Sequence, residues 1–366
     1  MADSEHVEPD SQELIEPDVG PLLTSIYGFA EPNTHSQTFD DNDSSYQSSL
    51  GDASYTTSIT SSAMNYTYEV HPSAVASNAV NASRTVADIT HIMKGNTSCR
   101  MTNKNKIDST WLTHHIYRML LQGELQRAPI KNPARVLDIG TGTGIWAIDF
   151  ADEHPETEVI GNDLSPIQPS WIPPNCRFEV DDFELTWSYS QPFDFIHGRE
   201  LEGSIRDHNH VFSEAFKSLK PGGWFEISSF DVNSYSDDET HLRAKCMRSV
   251  VENLHAASKK FGKDMNTTHT WRERLEKAGF VNVTEETYKL PQSPWAKDPK
   301  MKELGRYHQL NMFEAMPTYC YALFTRVLGW QRPEIEVLVA GIRAELKDMS
   351  MHLYTKVHVI YGQKPE

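Results

Sequence analysis

The sequence predicts an α/β fold: a doubly wound sheet of seven strands, closed by an antiparallel pair, with a helical insertion before the final strand. Two observations predict it. From Trp111 onward, apolar runs of strand length alternate with stretches of helical spacing, the pattern of a parallel sheet with crossover helices. The earliest of those runs ends in an acid, and a glycine-rich turn and a helix follow at once, Asp138-Ile139-Gly140-Thr141-Gly142-Thr143-Gly144.

The elements follow in order. Leu112, His115, Ile116, Met119 and Leu120 fall at helical spacing ahead of the first strand. The candidate strands are 135–139, 158–162, 176–180, 193–197 and 224–228, with helices between them that include 144–153 and 210–219. Lys220-Pro221-Gly222-Gly223 stops the latter helix. Residues 271–278 are helical and end at Gly279, and 280–288 and 354–361 read as two more strands. Between those strands, 295–350 are mostly helical, with Pro317 and Pro333 as breaks. The expected organisation is a leader over 1–105 and one domain over 106–366, with a helical cap over 291–352.

Composition separates the leader from the domain. The chain has 366 residues, 38% of them hydrophobic, and a formal charge of −17. Residues 1–83 hold thirteen Asp and Glu and no Lys or Arg, so they carry most of that charge. Residues 1–69 are rich in Ser, Thr, Asp and Glu. Such a stretch buries too little apolar surface to offset chain entropy and is expected to be disordered. It is either a docking or phosphorylation tail, around Ser44-Ser45-Tyr46 and Tyr55-Thr56-Thr57-Ser58, or a solvated leader. No basic stripe points to direct nucleic-acid binding. Cys99, Cys176, Cys246 and Cys320 lie far apart with no His at metal spacing, so neither a disulfide framework nor a metal site is expected. No signal-peptide pattern and no membrane-length apolar run are found, which predicts an intracellular protein of cytoplasm or nucleus.

The chemistry is expected where the strands end, because open parallel sheets bind ligands at their carboxyl edge. The turn has the form D-x-G-x-G-x-G, and its acid lies two residues before the first glycine. Dinucleotide sites lack that acid; here no diphosphate needs cradling, and Asp138 meets a cationic amino acid moiety instead. Gly140, Thr141, Gly142 and Gly144 let the backbone approach the ligand. Asp163, followed by Leu164, ends the second strand, where a carboxylate accepts both ribose hydroxyls. Asp182 ends the third and adjoins Phe183, a pair suited to the amino group and face of adenine. Singly, such acids are commonly caps or turn residues. Their order at three successive strand ends carries the reading.

Residues 111–366 resemble the fungal LaeA-like methyltransferases, in the branch labelled UMTA-type. The strings that carry the resemblance include VLDIGTGTGIWAIDF from Val136, VIGNDLSPIQP from Val159, LKPGGWFE from Leu219, PWAKDPKMKELG from Pro294 and LFTRVLGW from Leu323. The resemblance implies a class I methyltransferase (Rossmann-like) fold, S-adenosyl-L-methionine as donor, and a small-molecule acceptor methylated on oxygen or nitrogen. It also implies an alternative, a regulatory partner in a nuclear protein complex that controls secondary metabolism. Transfer from a sulfonium mainly needs alignment, so a base is optional. His197 and Arg199, after the fourth strand, and Glu226, on the fifth, are the candidates for catalysis. His197 is otherwise a hydrogen-bonded structural histidine, Arg199 either orients a carboxylate or caps a helix, and Tyr307 and His308 either close over the acceptor or lie on a surface helix face.

Relatives carry GRRYHxYxxGxYxLPNDExExDRLD ahead of the domain. This chain instead has ASRTVADITHIMKGNTSCRMTNKNKIDSTW from Ala82 to Trp111. Back-translated with permitted codons and shifted by two bases, the stretch from Thr85 spells GRRYHPYNEGKYILPNDEQEQDRLDL. Residues 82–111 are therefore read as out-of-frame translation, as from retained intron sequence; the alternative is a natural divergent linker. A transcript that reads through 70–111 as printed removes the idea.

Overall fold

In the computed structural model of the chain, residues 14–17 and 109–366 are described. The Ser/Thr/Tyr motifs of the leader and nearly all of the segment read as out of frame lie outside the described residues.

Seven strands make one sheet: β1 (Arg135–Ile139), β2 (Glu158–Asp163), β3 (Cys176–Val180), β4 (Phe193–Arg199), β5 (Leu219–Phe230), β6 (Val281–Pro291) and β7 (Tyr354–Gln363). Their order is β3-β2-β1-β4-β5-β7-β6. The first five strands are parallel, and β7 runs antiparallel to both β5 and β6. The order reverses at β1 and β4, so the crevice expected of such a sheet opens where β1 and β4 end. Val136, Leu137, Ile139, Val159 and Ile160 are fully buried, as befits central strands covered on both faces.

Helices α1 (Ser109–Leu120), α2 (Ile145–Glu153), α3 (His208–Ser218) and α5 (Trp271–Ala278) flank the sheet. In α1, Leu112, Ile116 and Leu120 are buried as their spacing predicts, but His114 and Tyr117 take the inner face in place of His115 and Met119. Helix α3 starts two residues before its expected limit, because Asp207 caps it by accepting the N–H groups of Asn209 and His210. It also stops sooner. Leu219 leaves the helix to pair with Phe193, so Lys220-Pro221-Gly222-Gly223 falls inside the irregular start of β5.

The cap is larger than the sequence suggested. Helices α6 (Pro299–Tyr319) and α7 (Arg332–Lys347), joined by a π-helical segment Cys320–Leu328, share an apolar core with α4 (Lys245–Phe261). Met247, Val250, Leu254 and Ala257 of α4 pack there against Phe324, Ile335 and Ile342. Pro317 does not end a helix. It lies inside α6, where its missing N–H leaves the carbonyl of Phe313 free, and Arg343 donates to that carbonyl at 3.2 Å. Pro333, in the first turn of α7, is where proline is tolerated. Residues 14–17 lie along the start of the cap: Pro17 bridges Ala296, and the Lys297 N–H donates to the Glu16 carbonyl at 2.7 Å.

Candidate active site

A cavity of about 430 Å³ opens at the ends of β1 and β4 and extends beneath the cap. Asp138, Gly140, Thr141 and Gly142 line one part of it; His197, Arg199, Glu200 and Glu202 line it from the end of β4 and the loop beyond. Asp231 and Thr355 come from the antiparallel side, and Met247, Met265, Met312 and Met316 from the cap and the loops around it.

The glycine turn is held from within. Gly140 N donates to Asn162 Oδ1 at 3.2 Å, Thr141 N to the Asn162 carbonyl at 2.9 Å, Gly142 N to Asp163 Oδ2 at 2.9 Å and Gly144 N to the Thr141 carbonyl at 3.0 Å. These are the donors that a dinucleotide site aims at diphosphate. Here they are spent on protein oxygens, so the turn offers an anion little and a compact backbone surface instead. Gly142 has φ +59°, and a Cβ there would project into open space. Gly144 has φ +81°, and a Cβ there would sit 2.3 Å from the Phe178 ring.

Asp138 is 3% exposed, yet it is an acid in a central strand. Two partners make that tolerable: Thr141 Oγ1 donates to Oδ2 at 2.5 Å and His197 Nδ1 to Oδ1 at 2.7 Å. A carboxylate only accepts, so the His197 proton sits on Nδ1. Burial pulls the His197 pKa below the ordinary value despite that carboxylate, so the ring is neutral. It stacks on Trp146 with centroids 3.7 Å apart. His197 thus borders the cavity as a packed, hydrogen-bonded ring. Arg199 donates to His114 Nδ1 at 3.0 Å and lies over the Tyr117 ring. His114 donates its other ring proton to Asp149, and burial lowers its pKa to about 4.

Glu226 stands elsewhere. It shares a sheet row with Asp138 and His197, but its Oε2 accepts the N–H groups of Arg127 at 2.8 Å and Ala128 at 2.6 Å, and it does not line the cavity. The loop after α1 covers it, which sequence position could not reveal. Burial raises its pKa from 4.5 to about 7. The folded chain therefore binds that proton more tightly than the unfolded chain. The stability so gained is full below pH 4.5 and is lost as pH rises through about 7. Glu226→Gln keeps an oxygen for both N–H groups, so its melting temperature should exceed that of the wild type above pH 7, with the difference shrinking towards pH 4.5. Thermal melts across that range check it.

The other expected residues are placed as follows. Asp163 uses one oxygen on Gly142 and the other on the Ser165 N–H at 2.8 Å. Each carboxylate oxygen has a second lone pair, so capacity for hydroxyls remains. Leu164 is half-buried beside it. Asp182 is half-buried and caps the Glu184 N–H at 2.9 Å, whereas Phe183 is 4% exposed and belongs to the core. None of these four lines the cavity, which stops short of the β2 and β3 ends. Tyr307 and His308 are buried rather than on a surface face, and His308 borders the cavity. Glu200 and Glu202 went unread in the sequence. The rule that selected His197 and Arg199, proximity to the carboxyl end of the fourth strand, reaches them one and three residues further on. Among the described residues, no group of His, Cys, Asp and Glu could hold a metal ion, and no helix is long and apolar enough to cross a membrane.

A family described as a methyltransferase domain matches residues 113–285. Methyltransferase pytC of Aspergillus terreus is 39% identical over 265 residues, spanning 72% of this chain and 82% of the relative. The secondary metabolism regulator LAE1 of Cochliobolus heterostrophus is 33% identical over 276 residues, spanning 73% of this chain and 89% of the relative. Among solved structures, phosphoethanolamine N-methyltransferase 2 of Haemonchus contortus, in complex with S-adenosyl-L-methionine, aligns at 18% identity and TM-score 0.42 over 72% of this chain and 59% of the other.

Proposed function

This chain belongs to the fungal LaeA-like family of S-adenosylmethionine-dependent methyltransferases, and from that premise we propose that it transfers a methyl group to oxygen or nitrogen of a small secondary metabolite held under the cap. One observation carries the reading: a single cavity joins the glycine turn to a chamber walled by cap methionines, so donor and acceptor can share one enclosure.

The amino acid end of the donor fits the residues that line the cavity. Gly142 leaves open space where any side chain would intrude. Asp138, with Gly140, Thr141, Gly142 and Gly144, would hold the amino acid moiety. Asp163 and Leu164 would hold the ribose and Asp182 and Phe183 the adenine once the cavity extends to the ends of β2 and β3, where none of the four lines it in this structure. When bound, the sulfonium supplies an activated methyl group. The chain's own part is alignment and exclusion of water, which lower the barrier without any covalent step on the protein. His197 is a positioning residue in this scheme: it fixes Asp138 and, being neutral, adds no charge beside a sulfonium.

Calorimetry on the full chain tests the reading. S-adenosylmethionine and S-adenosylhomocysteine should bind with one-to-one stoichiometry, and NAD should not bind. NAD binding in their place overturns it. The similarity to LAE1, named a regulator, favours a second reading in which association with a protein complex matters more than turnover. Donor binding with no methyl transfer to any metabolite extract of the producing fungus supports that reading over the first.

A further inference from the structure

Glu202 lies three residues beyond β4, 8% exposed, and it lines the cavity. Its two oxygens are treated very differently. Oε1 accepts from Thr267 N at 2.5 Å, Thr268 N at 3.0 Å and Thr267 Oγ1 at 3.2 Å. Oε2 is buried and, among the described residues, has no hydrogen-bond partner. A buried, unsatisfied carboxylate oxygen costs free energy that a fold with no use for it would have removed. Three donors clamp one oxygen and leave the other for a partner that the described residues do not supply.

Asn311 on α6 repeats the pattern from the opposite wall. Its Nδ2 donates to Thr113 Oγ1 at 3.2 Å, while its Oδ1 is buried without a partner and the residue borders the same cavity. With Glu202 ionised, the two vacant acceptors call for a ligand that brings donors. The acidic and basic side chains among the described lining residues are Asp138, Glu200, Glu202, Asp231 and Arg199. That balance repels anions, and Arg199 is already engaged by His114 and Tyr117. One stretch of the remaining wall, with Met247, Val250, Leu254, Met265, Met312 and Met316, is apolar, and its thioethers suit the face of an aromatic ring.

We propose that Glu202 Oε2 receives the nucleophilic hydroxyl of the methyl acceptor, and that the acceptor is an uncharged, largely apolar aromatic molecule. This rests on the methyl-transfer reading above. In the step, the acceptor oxygen forms its bond to the methyl carbon as the carbon–sulfur bond breaks, with that electron pair left on sulfur. The hydroxyl proton moves to Glu202 Oε2 and then to water. The donor's positive charge is thereby cancelled, and the protein returns to its starting state when the proton leaves.

Burial raises the Glu202 pKa to about 8, with Asp231 adding repulsion and the Thr267 and Thr268 donors opposing the rise. The other groups close to it are accounted for. His208 meets the same Thr267 hydroxyl and is itself held to about 4, while Lys263 is turned to Glu184 and the Ser204 carbonyl.

The test uses the full chain saturated with S-adenosylhomocysteine and three probes, 2-naphthol, naphthalene and 2-naphthoate. Wild type should bind 2-naphthol at least about tenfold more tightly than naphthalene and should reject 2-naphthoate. The hydroxyl preference should grow between about pH 7 and about pH 9 as Glu202 ionises. Glu202→Gln keeps an oxygen for the Thr267 and Thr268 donors; it should bind naphthalene normally, lose most of the preference and show no pH dependence. Equal binding of 2-naphthol and naphthalene by wild type overturns the proposal, as does a preference that survives Glu202→Gln or tighter binding of 2-naphthoate. Should Glu202→Gln not fold, the wild-type preference and its pH dependence still decide. S-adenosylhomocysteine itself failing to bind would sink the underlying methyl-transfer reading, a result separate from any of these.

Discussion

Gly144→Ala should give a chain less stable by about 2–5 kcal/mol, the sum of a left-handed backbone cost and an overpacking cost. The methyl would fall 2.3 Å from the Phe178 ring at φ +81°, so neither backbone nor neighbour offers an easy escape. Phe178 cannot simply turn aside, because its ring also fills the space over Gly161 in the next strand. Because α2 starts here, the strain should spread into the turn that borders the cavity, and affinity for S-adenosylmethionine should fall with stability. Thermal melting and calorimetry read the two effects. An unchanged melting temperature would mean that the turn has room the structure does not show.

Asp138→Asn should separate binding from folding. The amide can still accept from His197 and can donate to the Thr141 hydroxyl, so the buried cluster keeps its partners and the loss of stability should be small. The negative charge that a cationic amino acid moiety would meet is gone. Affinity for S-adenosylmethionine should fall by about 10- to 100-fold, the worth of a hydrogen bond to a charged group. Sinefungin, in which an amine-bearing carbon replaces the methylated sulfur, should weaken in parallel, because the lost contact is to the amino acid part. Donor affinity equal to that of wild type would confine Asp138 to holding His197.

Much of the sheet was legible because its signals are local. Central parallel strands are buried on both faces, so 136–139 and 159–162 read as apolar runs, and turn residues mark where they end. Helix α5 declared itself through Gly279, which takes φ +105° at its C-cap. The membership of α4 in the cap was not legible. Its spacing of Met247, Val250 and Leu254 fits any amphipathic helix, and only contact with Phe324 and Ile335 assigns it to the cap core. Glu226 and His197 are both candidates by sequence, and they lie side by side in one row of the sheet. What separates them is the loop at Arg127–Ala128, 99 and 98 residues from Glu226, which covers one and leaves the other at the cavity.

The sequence by itself determined the succession of strands and helices in an α/β sheet and the glycine turn between its first strand and the next helix. Those rest on short-range rules: burial pattern along a strand, glycine where φ must be positive, and an acid at the strand's end. Only the tertiary structure decided which carboxylates face the cavity with an oxygen to spare. Glu200 and Glu202 are the same residue type two positions apart, yet Tyr117 and the Phe230 N–H bind the first, while Thr267, 65 residues away, clamps one oxygen of the second and leaves the other vacant. Desolvation and hydrogen-bond satisfaction are properties of neighbours in space, and chain order does not say who those neighbours are.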